Sequence, residues 1–310
     1  MRQQLDALLV FAEFRHHMPD VLTLKEAAAY LRLSERSLYE LARTRRVPAA
    51  QLGGKWLFPR AQLERWLAAQ ADGPDAAHRL DPPPILAGSH DPLLDWAVRQ
   101  SGCGLALRTG GSLEGLAAVA AGTALAAATH LLDPDSGAFN EPAVREMLPG
   151  RAIVGITWAW REQGLIVPAG NPRGLALAAD LATPGIRVAG RQKRAGSHVL
   201  LTHLLTEAGI RLEQVAFLAE PALSEDEVAA AVTDGRADAG FGIRAEAAAR
   251  ALGFVPLIRE RFDLVMERRQ FFAPPLQALL AFSRSGQFAA RADRMGGYDL
   301  GALGTVAFNL

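Results

Sequence analysis

The chain has 310 residues, room for about two domains of ordinary size. Hydrophobic residues make up 50% and charged residues 21%, which excludes a mainly disordered chain. Lys+Arg and Asp+Glu both number 33, so a uniformly basic nucleic-acid coat is excluded, although a local basic patch is not.

Residues 1–20 hold an apolar stretch interrupted by acids, with His16-His17 inside it, and read as helical. They carry no small-residue cleavage signal, so a cytoplasmic protein is expected. No apolar run reaches the ~18 residues that a bilayer span requires, and no membrane partner is expected. A single cysteine, Cys103, excludes an intramolecular disulfide and a cysteine-rich zinc site.

Residues 21–66 contain nine Lys/Arg and four Asp/Glu, a balance of +5 that the rest of the chain must offset. Such an excess in a short segment is a reason to look there for a nucleic-acid module. Leu24–Leu31 has apolar residues at helical spacing, and Thr23 with Glu26 fits a capping box. After a break at Leu33-Ser34, Ser34 should cap a second helix, Glu35–Thr44, with Leu38 and Leu41 inward. Two short helices around a three-residue break form a helix-turn-helix pattern. The second helix would expose Arg36, Ser37, Tyr39, Glu40 and Arg43, and arginines there can pair with guanine edges or phosphates. Gly53-Gly54 favours a tight hairpin with Lys55 at its tip. Pro59 suits the start of a third helix, Arg60–Leu67. Trp56, Phe58, Trp66 and Leu67 are the expected small core.

The stretch LTLKEAAAYLRLSERSLYELARTRRVPAAQLGGKWLFPRAQLERWL, residues 22–67, resembles the excisionase/MerR-like winged helix-turn-helix family. The resemblance implies a DNA-binding domain over residues 1–70. Arg36, Ser37, Tyr39, Arg43, Arg45, Arg46 and Lys55 are its expected DNA-facing residues.

Residues 71–84, ADGPDAAHRLDPPP, cannot hold a helix or central strand and read as a stiff linker. Beyond it, apolar runs (Ile85–Ala87, Leu105–Leu107, Ala152–Thr157, Leu165–Val167, Ile186–Ala189, Ala237–Ile243) alternate with helical stretches (Pro92–Arg99, Leu113–Ala121, Val199–Ala208, Glu225–Asp234). This alternation indicates an α/β domain with largely parallel strands. The alanine-rich stretches Ala117–Ala128 and Ala245–Ala251 read as close-packed helices. Three strand-to-helix loops, at 85–94, 107–116 and 188–201, carry Gly and Ser/Thr at a helix start. Free amides there attract an anion if the loops converge, although each alone also fits an ordinary α/β loop.

Residues 85–310 look like the PBP-like domain found behind such DNA-binding modules, similar to type II periplasmic binding proteins for molybdate and tungstate. AGSHDPLLD (87–95), GSLEGLAAVAAG (111–122), WREQGLIVPAGNPRG (160–174) and GRQKRAGSHVLLTHLLTEAGI (190–210) carry this likeness. It implies an α/β fold of two lobes, about 85–165 with 260–310 and about 166–259, joined near 163–170 and 256–268. It also places Ser89 in a first anion loop, Thr109 and Ser112 in a second, and Arg191 with Ser197 in a third. His90 and His198 stand beside these loops and would strengthen anion binding when protonated, below pH ~6.5. Where the binders have hydroxyl-rich loops, this chain has Gly88-Ser89-His90 and Ala195-Gly196-Ser197-His198. Molybdate or tungstate leads the expectation, with a carboxylate, a sulfur oxyanion or another small anion as alternatives. His130 would line the cleft or cap its strand. Tyr298 would reach the ligand or simply pack. Arg173 and Asp133/Asp135 read as surface turns.

The combined expectation is a one-component transcriptional regulator, a homodimer on a roughly palindromic operator, that senses a small anion. No catalytic set, metal site or cofactor is expected. A transporter's solute-binding protein, an enzyme on the same two-lobe fold and an architectural DNA-bender are the alternatives.

Overall fold

A computed structural model describes residues 20–70, 81–193 and 195–310. The expected N-terminal helix with His16-His17 and residues 71–80 of the expected linker lie outside these. Two compact units divide the chain, Met1–Asp81 and Pro82–Leu310.

In the first unit β1 (Val21–Thr23) leads into α1 (Leu24–Leu31), and α2 (Glu35–Arg43) follows. The hairpin β2 (Ala50–Leu52) and β3 (Lys55–Pro59) precedes α3 (Arg60–Gln70). Thr23 and Glu26 form the expected capping box, which satisfies amide donors that the first turn leaves open. Ser34 caps α2 through the Ser37 amide at 3.1 Å. Gly53 and Gly54, at φ 55° and 78°, make the tight turn, and β1 joins the hairpin on β3. Leu22, Leu38, Phe58 and Leu63 are fully buried, with Trp56 and Trp66 packed against them. Leu67, expected in this core, is 50% exposed. Leu63 and Trp66 take the inward face of α3, and the next residue, rotated by about 100°, turns out to solvent.

The second unit runs β4 (Ile85–Gly88), α4 (Pro92–Ser101), β5 (Ala106–Thr109), α5 (Ser112–Ala120), β6 (Ala126–Thr129) and α6 (Glu141–Met147). The strand β7 (Ile153–Val167) leads to β8 (Arg187–Ala189), α7 (Gly196–Glu207) and β9 (Ala216–Phe217). Then come α8 (Glu225–Thr233), β10 (Ala239–Ile243), α9 (Arg244–Ala249) and β11 (Gly253–Glu267). The chain finishes with α10 (Pro274–Ser283), α11 (Gly286–Met295), β12 (Tyr298–Asp299) and β13 (Val306–Asn309). The strands form a single sheet in the order β5-β4-β6-β11-β7-β10-β8-β9, with β12 and β13 also paired to β7.

This is a two-lobe α/β architecture. Lobe I pairs β4 in parallel with β5 and β6, and lobe II pairs β8 in parallel with β9 and β10. The antiparallel strands β7 and β11 run through both. Along β7, residues 154–156 face β13 while 163–166 face β10. The handover therefore falls at about 157–163, ahead of the crossing expected at 163–170. Each lobe has its own core: Leu86, Trp158, Phe262, Leu264, Leu279 and Phe288 in the first, and Leu165, Val188, Leu200 and Phe241 in the second. Each such side chain stabilises by roughly 1.5–3 kcal/mol relative to exposure.

Two sequence readings change here. Ala152–Thr157 and Leu165–Val167 are not separate strands but the two ends of β7. Arg161 and Gln163 interrupt its apolar pattern, yet both are buried and hydrogen-bonded. Ala126–Ala128 belongs to the strand β6, not to a helix, because its small side chains sit under α5 in the middle of the sheet.

Gly88 ends β4 at φ 114°, where a Cβ would lie 2.4 Å from the Ala128 carbonyl oxygen. A Gly88→Ala variant combines backbone strain with that clash. It is expected to lose about 2–4 kcal/mol, read as a lowered urea midpoint.

Candidate functional site

A cleft of about 830 Å³ opens between the two lobes. Lobe I contributes Ser89, His90, Thr109, the Gly110-Gly111 loop and His130 to its walls. Lobe II contributes Arg191, Gln192, Gly196, Glu225 and Glu246. At the Gly196–His130 contact the lobes come close: a Cβ on Gly196 would lie 2.7 Å from the His130 ring.

Four helices start at this cleft. Asp91 closes α4 by accepting from the Leu94 amide at 2.7 Å, and Ser224 closes α8 through the Glu227 amide. The starts of α5 and α7, at Gly111 and Ala195, have no side-chain cap among the described residues. Their first-turn amides and the positive dipole end are open to an anion, one from each lobe. Arg191 stands beside the second. Its Nε and Nη1 are buried without a hydrogen-bond partner among the described residues. Burial lowers its pKa, while Glu225 and Glu227 pull the other way. Buried donors left unpaired are costly, and an anion placed against them would recover that loss.

The sequence-derived residues divide between the cleft wall and the packing behind it. Ser89, His90, Thr109 and Arg191 line the cleft. The Ser89 hydroxyl lies 2.7 Å from that of Ser112, which is fully buried and accepts from the His130 amide at 3.1 Å. Ser112 thus braces the loops rather than facing the opening. Ser197 is buried in the first turn of α7. His198 is half-buried, and burial, with Lys193 nearby, lowers its pKa. Its charge therefore appears at a more acid pH than the ordinary value used in the sequence reading.

Beneath the cleft lies an ionic cluster that the sequence did not reveal. Arg161 on β7 is the cross-strand partner of Glu260 on β11 and of Tyr298 on β12. Its Nε donates to Glu260 Oε1 at 2.9 Å and its Nη1 to Asp91 Oδ2 at 3.0 Å. Tyr298 donates to the same Asp91 oxygen at 2.8 Å, so its hydroxyl serves this cluster. His130 Nδ1 lies 2.7 Å from Glu260 Oε2, and Gln163 donates to both Glu260 and Glu225. Burial alone would raise the Glu260 pKa, but Arg161 and His130 together hold it well below the usual carboxylate range. Burial raises Tyr298, and Asp91 adds to the rise. Arg173 sits in an exposed turn, as read, and from there binds Asp238 together with Arg187.

Glu246 on α9 is a different kind of carboxylate. Burial first, then Glu225 and Asp226, push it up to about 7. No spacing rule could have found it, because its neighbours come from α8 and from the β4–α4 loop.

In the first unit Arg36, Ser37, Tyr39, Arg43, Arg45, Arg46 and Lys55 are all exposed. Arg43 is held by Glu40 at 2.8 Å, and the Ser37 hydroxyl lies 2.7 Å from that of Ser34. Arg36, Arg45, Arg46 and Lys55 carry no ion pair among the described residues and leave their charge free for a polyanion. No helix among the described residues is long and apolar enough to cross a membrane.

A helix-turn-helix unit joined to a two-lobe sheet with a polar cleft defines a binding architecture, and the family comparison agrees. The chain belongs to the PBP superfamily domain family, whose profile matches residues 95–284, and a helix-turn-helix domain profile matches residues 21–71. It is similar to the uncharacterized protein YvgK of Bacillus subtilis (strain 168), with 26% identity over 302 residues, 92% of this chain and 96% of the relative. An uncharacterized protein in the ferredoxin 2Fe-2S gene 5' region of Clostridium pasteurianum is 26% identical over 113 residues, 36% of this chain and 100% of the relative. Among solved structures, an ABC-transporter substrate-binding protein with bound phosphate from Clostridium perfringens matches with a TM-score of 0.53. It has 10% identity and covers 69% of this chain and 97% of its own, a likeness of fold.

Two stability measurements test the cluster and the carboxylate. Glu260→Gln leaves Arg161 short of its main counter-charge and should cost about 3–5 kcal/mol in urea unfolding. Glu246→Gln should act with the opposite sign. Below the unfolded value of 4.5 both states of wild type hold the Glu246 proton, and above about 7 the folded state must carry a disfavoured charge. The stability gained by the variant should therefore open between pH 4.5 and 7 and level off near 3 kcal/mol, about two and a half pK units of linkage.

Proposed function

We propose that the chain is a one-component transcriptional regulator. Its winged helix-turn-helix unit binds operator DNA as a homodimer in the cytoplasm, and its cleft senses a small anion. The reading is of a binding protein, not an enzyme. The observation that carries it is Arg191. Two buried N–H groups of this side chain have no partner among the described residues, and they stand beside an uncapped helix start in one lobe while a second uncapped start lies in the other.

The excisionase/MerR-like subtype is carried by residues 22–67, and the exposed cations Arg36, Arg45, Arg46 and Lys55 support phosphate contacts. Of the candidate ligands, the resemblance of residues 85–310 favours molybdate or tungstate. Ser89, Thr109 and Arg191 are the residues proposed to meet the anion, with Ser112, Ser197, His90 and His198 around them. An anion drawn to donors on both lobes would favour the closed arrangement. It would alter DNA binding only to the extent that it binds the two arrangements unequally.

Two variants separate the modules. Arg191→Ala should abolish the thermal shift produced by tungstate, molybdate or a small carboxylate and leave DNA binding within about twofold. Arg36→Ala with Arg43→Ala should do the reverse, weakening DNA binding at least tenfold in a mobility-shift titration. Loss of both properties in both variants overturns the two-module reading. Ligand at ~100 times its dissociation constant stabilises by about 2.7 kcal/mol, well within reach of the thermal measurement.

A further inference from the structure

Resting on the anion reading, a second polar pair lining the same cleft narrows the ligand class. Glu246 lines the cleft from lobe II, and its side chain is only 6% exposed. It makes no hydrogen bond among the described residues. The nearest ionisable partner is His90 of lobe I, whose Nδ1 lies 4.0 Å from Glu246 Oε1, beyond hydrogen-bond reach. That Nδ1 is itself buried and unpartnered. A carboxyl oxygen and an imidazole nitrogen, one from each lobe, thus face each other across a gap without a hydrogen bond between them.

The spacing has a chemical meaning. With the His90 proton on Nε2, both atoms accept. An ammonium nitrogen about 2.8 Å from each would see them roughly 90° apart, close to the directions of two of its own N–H bonds. A hydrated or ligand-borne cation is also what the surrounding charge asks for. Glu225 and Asp226 raise the affinity of Glu246 for a proton, and Arg250, paired with Asp226 at 2.7 Å, offsets only part of that rise. A bare tetrahedral oxyanion offers nothing to this wall. It would satisfy Arg191 and the open amides, yet leave Glu246 and His90 without a partner.

We propose that the ligand is a small zwitterion, with its anionic group against Arg191 and the open helix starts and its ammonium group between Glu246 and His90. Each pole then draws on both lobes, because Arg191 and Glu246 belong to lobe II while the α5 start and His90 belong to lobe I. Binding of either half alone would recover only part of the unpaired polar surface. A cleft of about 830 Å³ accommodates an organic molecule of this kind.

The test is a set of paired probes measured against the intact protein by calorimetry in Tris-chloride. Taurine is paired with ethanesulfonate, 2-aminoethylphosphonate with ethylphosphonate, β-alanine with propionate and 4-aminobutanoate with butanoate. Tungstate and molybdate complete the panel. In at least one pair the amine-bearing member should bind ten-fold or more tighter than its plain partner, and in Glu246→Gln that gap should close to within about two-fold. If plain anions or tungstate bind while no amine-bearing member is preferred, the zwitterion proposal is wrong and the anion reading stands. A preference that survives Glu246→Gln intact also overturns it. If nothing in the panel binds, the anion reading itself falls, and this proposal with it. Should the variant not fold, the wild-type pairs decide alone.

Discussion

The second unit is organised around one buried pairing, Arg161 against Glu260. The two residues are cross-strand partners on the long strands that carry the chain between the lobes, and both are removed from water. Burying a guanidinium and a carboxylate is unfavourable unless every remaining donor and acceptor finds a partner. Here they do so through Asp91, His130, Gln163 and Tyr298. Those partners are not arbitrary. Asp91 caps α4, His130 ends β6 against the start of α7, and Gln163 reaches Glu225 at the start of α8. A single charge cluster therefore fixes the register of the crossing strands and the placement of helix starts in both walls of the cleft.

The cleft's electrostatics follow from which helix starts are closed. Asp91 and Ser224 occupy the amides of α4 and α8, so their dipoles are already answered by the protein. Among the described residues, no side chain answers the starts of α5 and α7 or two N–H groups of Arg191. Unpaired buried donors are destabilising in the empty protein, and they represent binding free energy held in reserve for an acceptor from outside. Glu246 and His90 make the complementary case with acceptors. The cleft thus presents both unpaired donors and a buried carboxyl rather than a uniformly basic wall.

The basic excess sits instead in residues 21–66, where the exposed arginines of the α2 region and Lys55 at the wing are gathered. Segregating charge in this way suits a protein that must hold a polyanion with one unit and discriminate a small ligand with another. Non-specific phosphate attraction depends on free cations in water, whereas discrimination depends on buried, fixed groups.

What the sequence determined by itself is what short-range rules govern. The capping box at Thr23, the Ser34 cap, the Gly53-Gly54 turn, the alternation of strands and helices, and Arg191 beside a helix start are all legible because each depends on residues a few positions apart. Tertiary structure decided the rest. Arg161 and Gln163 break the apolar pattern of their strand, and what satisfies them there is Glu260, 99 residues from Arg161. The resemblance to anion binders marks Ser112 and Ser197 as ligand hydroxyls, and only the packing shows that both lie under the surface. Glu246 carries no local signal at all. Its properties come from desolvation and from carboxylates on a neighbouring helix, and burial and through-space charge are set by packing between distant segments, which one-dimensional spacing does not contain.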